Sequence, residues 1–176
     1  MPTDTHRDPL YIKVPCFLTG RLVLDTDRER IRQKLAKHLV HELGYRIEDF
    51  VLDRKIPVEF KGKRQVSIID ILVVIDGRSL MVLRFGPGSV ITREAGTISA
   101  ARLVEPDYIV PWAVQANLFD ASFIDVVKKK AVGYGWESIP SRSDLMELCS
   151  TWPPPALPPE RIPFEERILF SYDKPA

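Results

Sequence analysis

This sequence of 176 residues has few cysteines and histidines, and neither sign of charge is in marked excess. It has 2 cysteines and 3 histidines, and 25 basic residues nearly balance 24 acidic ones. Cys16 and Cys149 lie far apart without the short spacing of a redox or zinc motif, which argues against both kinds of site. Because the net charge is only +1, nucleic-acid binding would require a local basic patch.

Long apolar runs are also lacking. No stretch approaches the roughly 18 residues that a transmembrane helix needs, and the amino terminus lacks the pattern of a signal peptide. We therefore expect a cytoplasmic protein without membrane contact. The length and the 45% hydrophobic content fit one ordinary globular domain.

The patterns along the chain divide it into three parts. Residues 1–24 are expected to form an irregular amino-terminal arm. Residues 25–150 alternate helical and strand patterns and should form the domain. Residues 151–176 begin as a proline-rich connector and end in a helix, over 165–172, that packs back on the domain. The predicted fold is α/β, with a mixed central sheet flanked by helices.

The clearest helix follows Asp25 or Asp27, either of which can cap it, and Gly44 is a natural stop. Its apolar stripe consists of Ile31, Leu35, Leu39 and Leu43. Further helices are predicted over 92–103 and over 143–150, the latter capped by Ser143.

The strand patterns centre on a hairpin. Residues 66–75 are apolar on both alternating faces, which predicts the central strand, covered on both sides. Asp76-Gly77 is a tight-turn signal before a second strand over 80–85. Other strands are predicted over 47–52, 56–60, 108–114 and 131–134, the first two at the sheet edge because of Pro57.

This order of elements resembles the restriction-endonuclease core of the PD-(D/E)xK superfamily. Several short motifs, taken together, are similar to the N-terminal nuclease domain of type I restriction enzyme R subunits and to stand-alone bacterial proteins with such a domain. They are residues 64–77, Gly86-Pro87-Gly88-Ser89, Arg93-Glu94, residues 100–103, Pro111 and Ile139-Pro140-Ser141-Arg142. The resemblance covers roughly residues 25–142. It implies a nuclease in which an aspartate on the first hairpin strand, and an acid and a lysine two apart on the second, hold Mg²⁺ and orient water.

The sequence departs from that pattern on the second hairpin strand. Asp70 stands on the first strand, but residues 82–86 read Val-Leu-Arg-Phe-Gly and supply neither the acid nor the lysine. Asp70 alone is a poor site for a hard cation, so no metal ligands and no cofactor are expected. Mg²⁺ is expected as a cofactor only if nuclease activity survives because a carboxylate from another part of the chain replaces the missing acid.

Arg84 suggests what replaced the metal. Either plausible hairpin register leaves Arg84 within one position of Asp70. A buried carboxylate needs a partner, and a guanidinium would supply charge and hydrogen bonds. Three interpretations stay open: a structural Asp70–Arg84 ion pair, a remnant site that holds a phosphate-like ligand through Arg84, and surviving catalysis.

Glu42 is a second candidate for the remnant site. It lies seven residues after Leu35 and should share the face of the apolar stripe, and nucleases of this fold often aim an acid from their first helix at the metal. A solvated glutamate at the helix end is the alternative. Contacts with nucleic-acid phosphates are assigned to Arg93, Arg102, Lys128 and Lys129, which ordinary surface charge explains as well.

The leading hypothesis is a catalytically degenerate nuclease-like module that binds DNA or a protein partner. Its rival is an active Mg²⁺-dependent DNA endonuclease whose missing acid comes from Glu42 or Glu94. A third reading is a structural or oligomeric interaction protein, in which Trp112, Phe119, Phe123 and the connector over 152–159 form an exposed patch.

Overall fold

Six strands form one mixed sheet in the computed structural model, which describes residues 12–173. The strands are β1 Lys13–Pro15, β2 Leu22–Leu24, β3 Phe50–Phe60, β4 Lys63–Ile75, β5 Arg78–Phe85, β6 Trp112–Ala116, β7 Ala121–Asp125 and β8 Lys130–Tyr134. The helices are α1 Asp27–Lys37, α2 Glu94–Leu103, α3 Arg142–Leu148 and α4 Ile162–Tyr172. The predicted α/β fold, with a mixed sheet flanked by helices, is confirmed.

The strand order of the large sheet is β3-β4-β5-β6-β7-β8, and only β5 and β6 run parallel. β4 is therefore second from the edge, and the prediction that it lies at the centre is wrong; β5 and β6 occupy the middle. The edge position of β3 is confirmed and tolerates Pro57, which cannot donate a ladder hydrogen bond.

Helices cover both faces of the sheet. On one face, apolar residues of α1 and α3 pack on Ile71, Val73 and Leu83. On the other face, α2 and α4 pack on Leu72 and Val82. The prediction that β4 is covered on both sides is confirmed, because successive strand residues face opposite cores.

The hairpin of β4 and β5 turns at Asp76 and Gly77, as predicted. Both residues have positive φ, 52° and 73°, which is typical of the tight turns that match strand twist. A bulge between Val73 and Val74 then shifts the register, so that Ile71 pairs with Leu83. The pairing of the two strands ends at Ile71 and Leu83, and Asp70 and Arg84 are the next residues beyond it.

Several element boundaries differ from the prediction. β3 is one continuous strand, since Asp53 adopts a φ of 53° and the pairing with β4 continues past it. β6 begins at Trp112 and not at residue 108, and β7, which was not predicted, pairs with it. β7 was missed because its residues are buried without the alternation that marks a half-exposed strand.

The helix caps are also shifted. Thr26, and neither Asp25 nor Asp27, caps α1 by accepting from the Glu29 N–H at 3.1 Å. Ser141 rather than Ser143 caps α3 and accepts from the Asp144 N–H. A cap must reach the N–H three residues ahead, so these residues fix the start of each helix.

A π-helical segment, His38–Glu42, continues α1 toward Gly44. Its wider turn changes the angular position of each later residue relative to the apolar stripe. Before α1, the described part of the predicted arm forms the antiparallel pair of β1 and β2, and residues 1–11 of that arm lie outside the described residues. Among residues 12–173, no helix has the length and apolar character needed to span a membrane.

Candidate functional site

Asp70 lies at the end of the hairpin, 2% exposed, with both carboxylate oxygens engaged by the protein. Oδ1 pairs with the Arg28 guanidinium from the first turn of α1. Oδ2 accepts from the backbone N–H of Phe85 at 2.9 Å. The Arg28 guanidinium also donates to the Phe85 carbonyl at 3.0 Å, so one arginine links α1 to both hairpin strands.

The environment of Asp70 has opposing effects on its ionisation. Burial raises the pKa of the Asp70 carboxyl above its ordinary value, whereas the charge of Arg28, the Phe85 N–H and the charge of Arg84 favour the ionised form. The carboxyl group therefore depends on these donors to carry its charge inside the protein.

Arg84 has a different partner. Its guanidinium Nη2 donates to both oxygens of Asp173, at 2.6 and 2.7 Å, just beyond the end of α4. The ion pair between Asp70 and Arg84, one of the three interpretations left open, does not form, since Asp70 pairs with Arg28. Leu83 and Phe85 face the core under α1, so Arg84 between them points to the opposite face.

The sequence held a signal for Arg28 that was missed. Arg28 lies three residues before Ile31 and seven before Leu35, so it continues the buried stripe of α1. A basic residue on that stripe is placed to reach a buried acid of the sheet.

A cavity of about 80 Å³ opens beside this network. It is lined by Arg28, Arg84, Phe85, Arg93, Gln115, Tyr172 and Asp173. The three arginines come from α1, β5 and the turn that leads into α2. Within residues 12–173 the exposed Arg93 guanidinium makes no ion pair, so the cavity wall is basic overall.

Gln115 contributes an amide donor to the cavity. It is 3% exposed and level with Arg84 across the parallel pair of β5 and β6. Its Oε1 accepts from the Thr97 hydroxyl at 2.6 Å, while its Nε2 makes only a long contact of 3.4 Å with the Ala116 carbonyl. The Nε2 hydrogens are thus available to an anion. A glutamine inside an otherwise apolar strand was the signal for this residue.

The site does not fit the Mg²⁺ that the resemblance implies. Hard cations need several oxygen ligands, yet Asp70 is bound by Arg28 and the β5 positions carry Val82 and Arg84. No group of three His, Cys, Asp or Glu side chains that could hold a metal occurs in the described part of the chain.

Neither proposed substitute acid joins Asp70. Glu42 is exposed on the π-helical segment, roughly 20 Å from Arg28 along the helix at about 1.5 Å per residue. The prediction that Glu42 shares the buried face is wrong, because the π turn rotates it away. Glu94 accepts from the Ser122 hydroxyl at 2.6 Å and does not line the cavity.

The four basic residues assigned to phosphate contacts lie in different surroundings. Arg93 lines the cavity. Arg102 is 7% exposed and its Nε donates to Glu165 at 2.8 Å. Lys129 pairs with Glu165 at 2.6 Å, and Lys128 with Asp125 at 3.0 Å. The structure therefore brings only Arg93 of the four to the cavity.

The apolar patch expected for an interaction protein does not form as described. Phe123 is buried, and Trp112 is half-buried and stacks on it with ring centroids 4.9 Å apart. Only Phe119 of the three is exposed, at 89%.

Fold and site together define an α/β domain with an arginine-lined cavity at the end of its acid-bearing hairpin. The chain belongs to the family of the type I restriction enzyme R protein N terminus, whose family model matches residues 27–140. That range runs from α1 to the loop before α3 and includes Asp70 and the hairpin. No curated protein matched the chain, and no solved structure did.

Proposed function

We propose that this protein is a restriction-endonuclease-like domain that does not cleave nucleic acid but binds it through the arginine-lined cavity. One observation supports this most strongly: Arg28 and the Phe85 N–H bind the two Asp70 oxygens that a nuclease of this family would offer to a metal. A guanidinium thus supplies the positive charge that the metal would bring.

Nucleic acid suits the cavity because guanidinium groups bind phosphate oxygens through paired, charge-assisted hydrogen bonds. The net charge of +1 makes such a local site necessary, since the whole surface does not attract a polyanion. Arg84, Arg93 and the Gln115 amide provide donors from three separate elements, so their positions are fixed by the fold.

The test compares binding and cleavage on the same samples. Fluorescence anisotropy with labelled single-stranded and duplex DNA measures affinity, and gel electrophoresis in Mg²⁺ and Mn²⁺ scores cleavage. We expect binding without cleavage, and a loss of affinity of about tenfold in Arg84→Met, which is the effect of one charged hydrogen bond. Arg64→Met is the matched control, because Arg64 is 85% exposed and does not line the cavity.

Circular dichroism establishes that Arg84→Met is folded before its affinity is compared. Equal affinities of Arg84→Met and Arg64→Met would contradict binding through the cavity. Metal-dependent cleavage that disappears in Asp70→Asn, together with Mg²⁺ binding by calorimetry, would instead establish the active DNA endonuclease with a migrated carboxylate.

A further inference from the structure

We infer that the cavity receives the terminal phosphate of a nucleic-acid end, and that Asp173 competes with that phosphate for Arg84. This inference rests on the proposed function and names its ligand. It starts from an anion that already occupies the site, since both Asp173 oxygens contact the same Arg84 nitrogen at 2.6 and 2.7 Å.

Asp173 stands at an unfavourable end of its helix. It is the C-cap of α4, where its N–H donates to the Leu169 carbonyl at 3.1 Å. The negative end of a helix dipole disfavours a carboxylate at this position. Arg84 offsets that repulsion, so Asp173 is held here by the arginine and not by the helix, and another anion can replace it.

The size and the open side of the cavity favour a phosphate at the end of a chain. Its volume of about 80 Å³ can hold more than one water-sized group. Such a space is large enough for a phosphate group and too small to enclose a nucleobase. Because the cavity is open on one side, a phosphate attached to one sugar can enter it more deeply than a phosphate held between two sugars.

The charge of the cavity favours the same ligand. A terminal phosphate carries about −1.5 to −2 near neutral pH, whereas an internal phosphodiester carries a single charge. Arg84 and Arg93, which makes no ion pair within residues 12–173, line the cavity together, and the Gln115 Nε2 adds a neutral donor on a 3% exposed side chain. Arg28 stays bound to Asp70 and forms the wall.

The experiment uses one oligonucleotide sequence made with a 5′-phosphate, with a 3′-phosphate and with hydroxyl groups at both ends. Anisotropy measures each with wild type, Asp173→Asn and Arg84→Met. We expect at least one phosphorylated form to bind more tightly than the hydroxyl form. Asp173→Asn should raise that affinity by about fivefold or more, the lower range of typical coupling between sites, and Arg84→Met should abolish the preference.

Asp76→Asn is the control for a general gain of positive charge, because Asp76 is exposed in the hairpin turn and asparagine accepts its positive φ. It should leave all three affinities unchanged. An equal gain in Asp76→Asn and Asp173→Asn would overturn the competition.

Equal binding of all three oligonucleotides by wild type and Asp173→Asn would overturn the inference. If that equal affinity still depended on Arg84, the proposed function would stand. Binding of no oligonucleotide would remove both. Titration with inorganic phosphate tests whether the ligand is free phosphate and not a nucleic-acid end. Arg84-dependent phosphate binding without oligonucleotide binding would overturn the inference and identify free phosphate as the ligand.

Discussion

At the residue scale, the site depends on which arginine pairs with the buried acid. The Arg28 guanidinium binds Asp70 and lies 5.2 Å from the centroid of the Phe85 ring. Arg84 is thereby released to contact the cavity and Asp173. One arginine has a structural role, and the other lines the cavity, where it is paired with Asp173.

Arg28→Met should destabilise the protein by about 1–3 kcal/mol near neutral pH, because it leaves the buried Asp70 carboxylate without its charged partner. The expected loss of stability is no larger than this because the Arg28 side chain is 54% exposed and solvent screens its charge. Urea denaturation measures it. Arg30→Met, on the same helix in an exposed ion pair, is the control and should cost little.

The cost of Arg28→Met should shrink in acid. The folded-state pKa of Asp70 is above its ordinary value of 3.8, so ionisation of this group removes stability as the pH rises through that pKa. Arg28 counteracts this effect, and its removal raises the pKa further. Denaturation between pH 7 and pH 4 should therefore show wild type and variant converging, and a difference independent of pH would contradict this role.

At the element scale, α4 is tied to α2 through the carboxylate of Glu165, which is 1% exposed. It accepts from Ser99 at 2.7 Å, from Arg102 at 2.8 Å and from Lys129 at 2.6 Å. Two elements that are distant in sequence thus share one buried charge network. This network anchors the first turn of α4, and Tyr172 of its last turn lines the cavity.

Glu165→Gln should cost about 3–5 kcal/mol at pH 7, since it leaves the buried Arg102 without a counter-charge. Burial raises the pKa of Glu165, but hydrogen bonds from Lys129 and Ser99 and the charges of Lys129 and Arg102 hold it below 4.5. Its contribution is thus present above pH 4.5 and is lost as the pH falls through the lowered pKa.

Denaturation as a function of pH checks the Glu165 prediction. Wild type should lose stability below pH 4.5 more steeply than Glu165→Gln. Glu160→Gln, an exposed acid just before α4, should behave like wild type. Parallel acid curves for wild type and Glu165→Gln would show that this carboxylate does not set the acid stability.

Gly96 controls the close approach of α2 and α4. A Cβ built on Gly96 would lie 2.8 Å from Cγ of Tyr172, which is closer than packing allows. Gly96→Ala should lower stability by about 1–3 kcal/mol, as overpacking does, and displace the end of α4. Differential scanning calorimetry measures the loss, and the double variant with Tyr172→Ala should recover part of it. A Gly96→Ala protein as stable as wild type would contradict the close contact.

At the scale of the whole molecule, a net charge of +1 and a small cavity predict that the protein neutralises only one or two phosphates when it binds DNA. Affinity for DNA falls with salt in proportion to the phosphates neutralised, with a slope of about −0.7 to −0.9 per phosphate. We expect a slope between about −1 and −2 for the preferred oligonucleotide. Anisotropy over a range of salt concentrations measures it.

A steep slope near −6 would indicate a broad basic surface in place of one cavity. Arg64→Met should leave the slope unchanged, since its exposed side chain pairs with Glu59 and does not line the cavity. Arg84→Met should make the slope shallower by about one phosphate.

Local chemistry made much of the fold predictable. The Asp76-Gly77 turn and the apolar residues of β4 define the hairpin without reference to the rest of the chain. The end of α1 near Gly44, by contrast, hid a π-helical segment, because periodicity in sequence assumes a constant turn. β7 was missed because its burial follows from its neighbours in the sheet.

The sequence by itself determined the family resemblance, the hairpin with Asp70 and the absence of the acid and lysine from β5, since each is a matter of residue type and local order. Tertiary structure alone decided the partners. The strand pleat of β5 turned Arg84 to the face where Asp173 ends α4, and the packing of α1 brought Arg28 to Asp70. Ion pairs between elements depend on register and helix rotation, which are set only when the whole core packs.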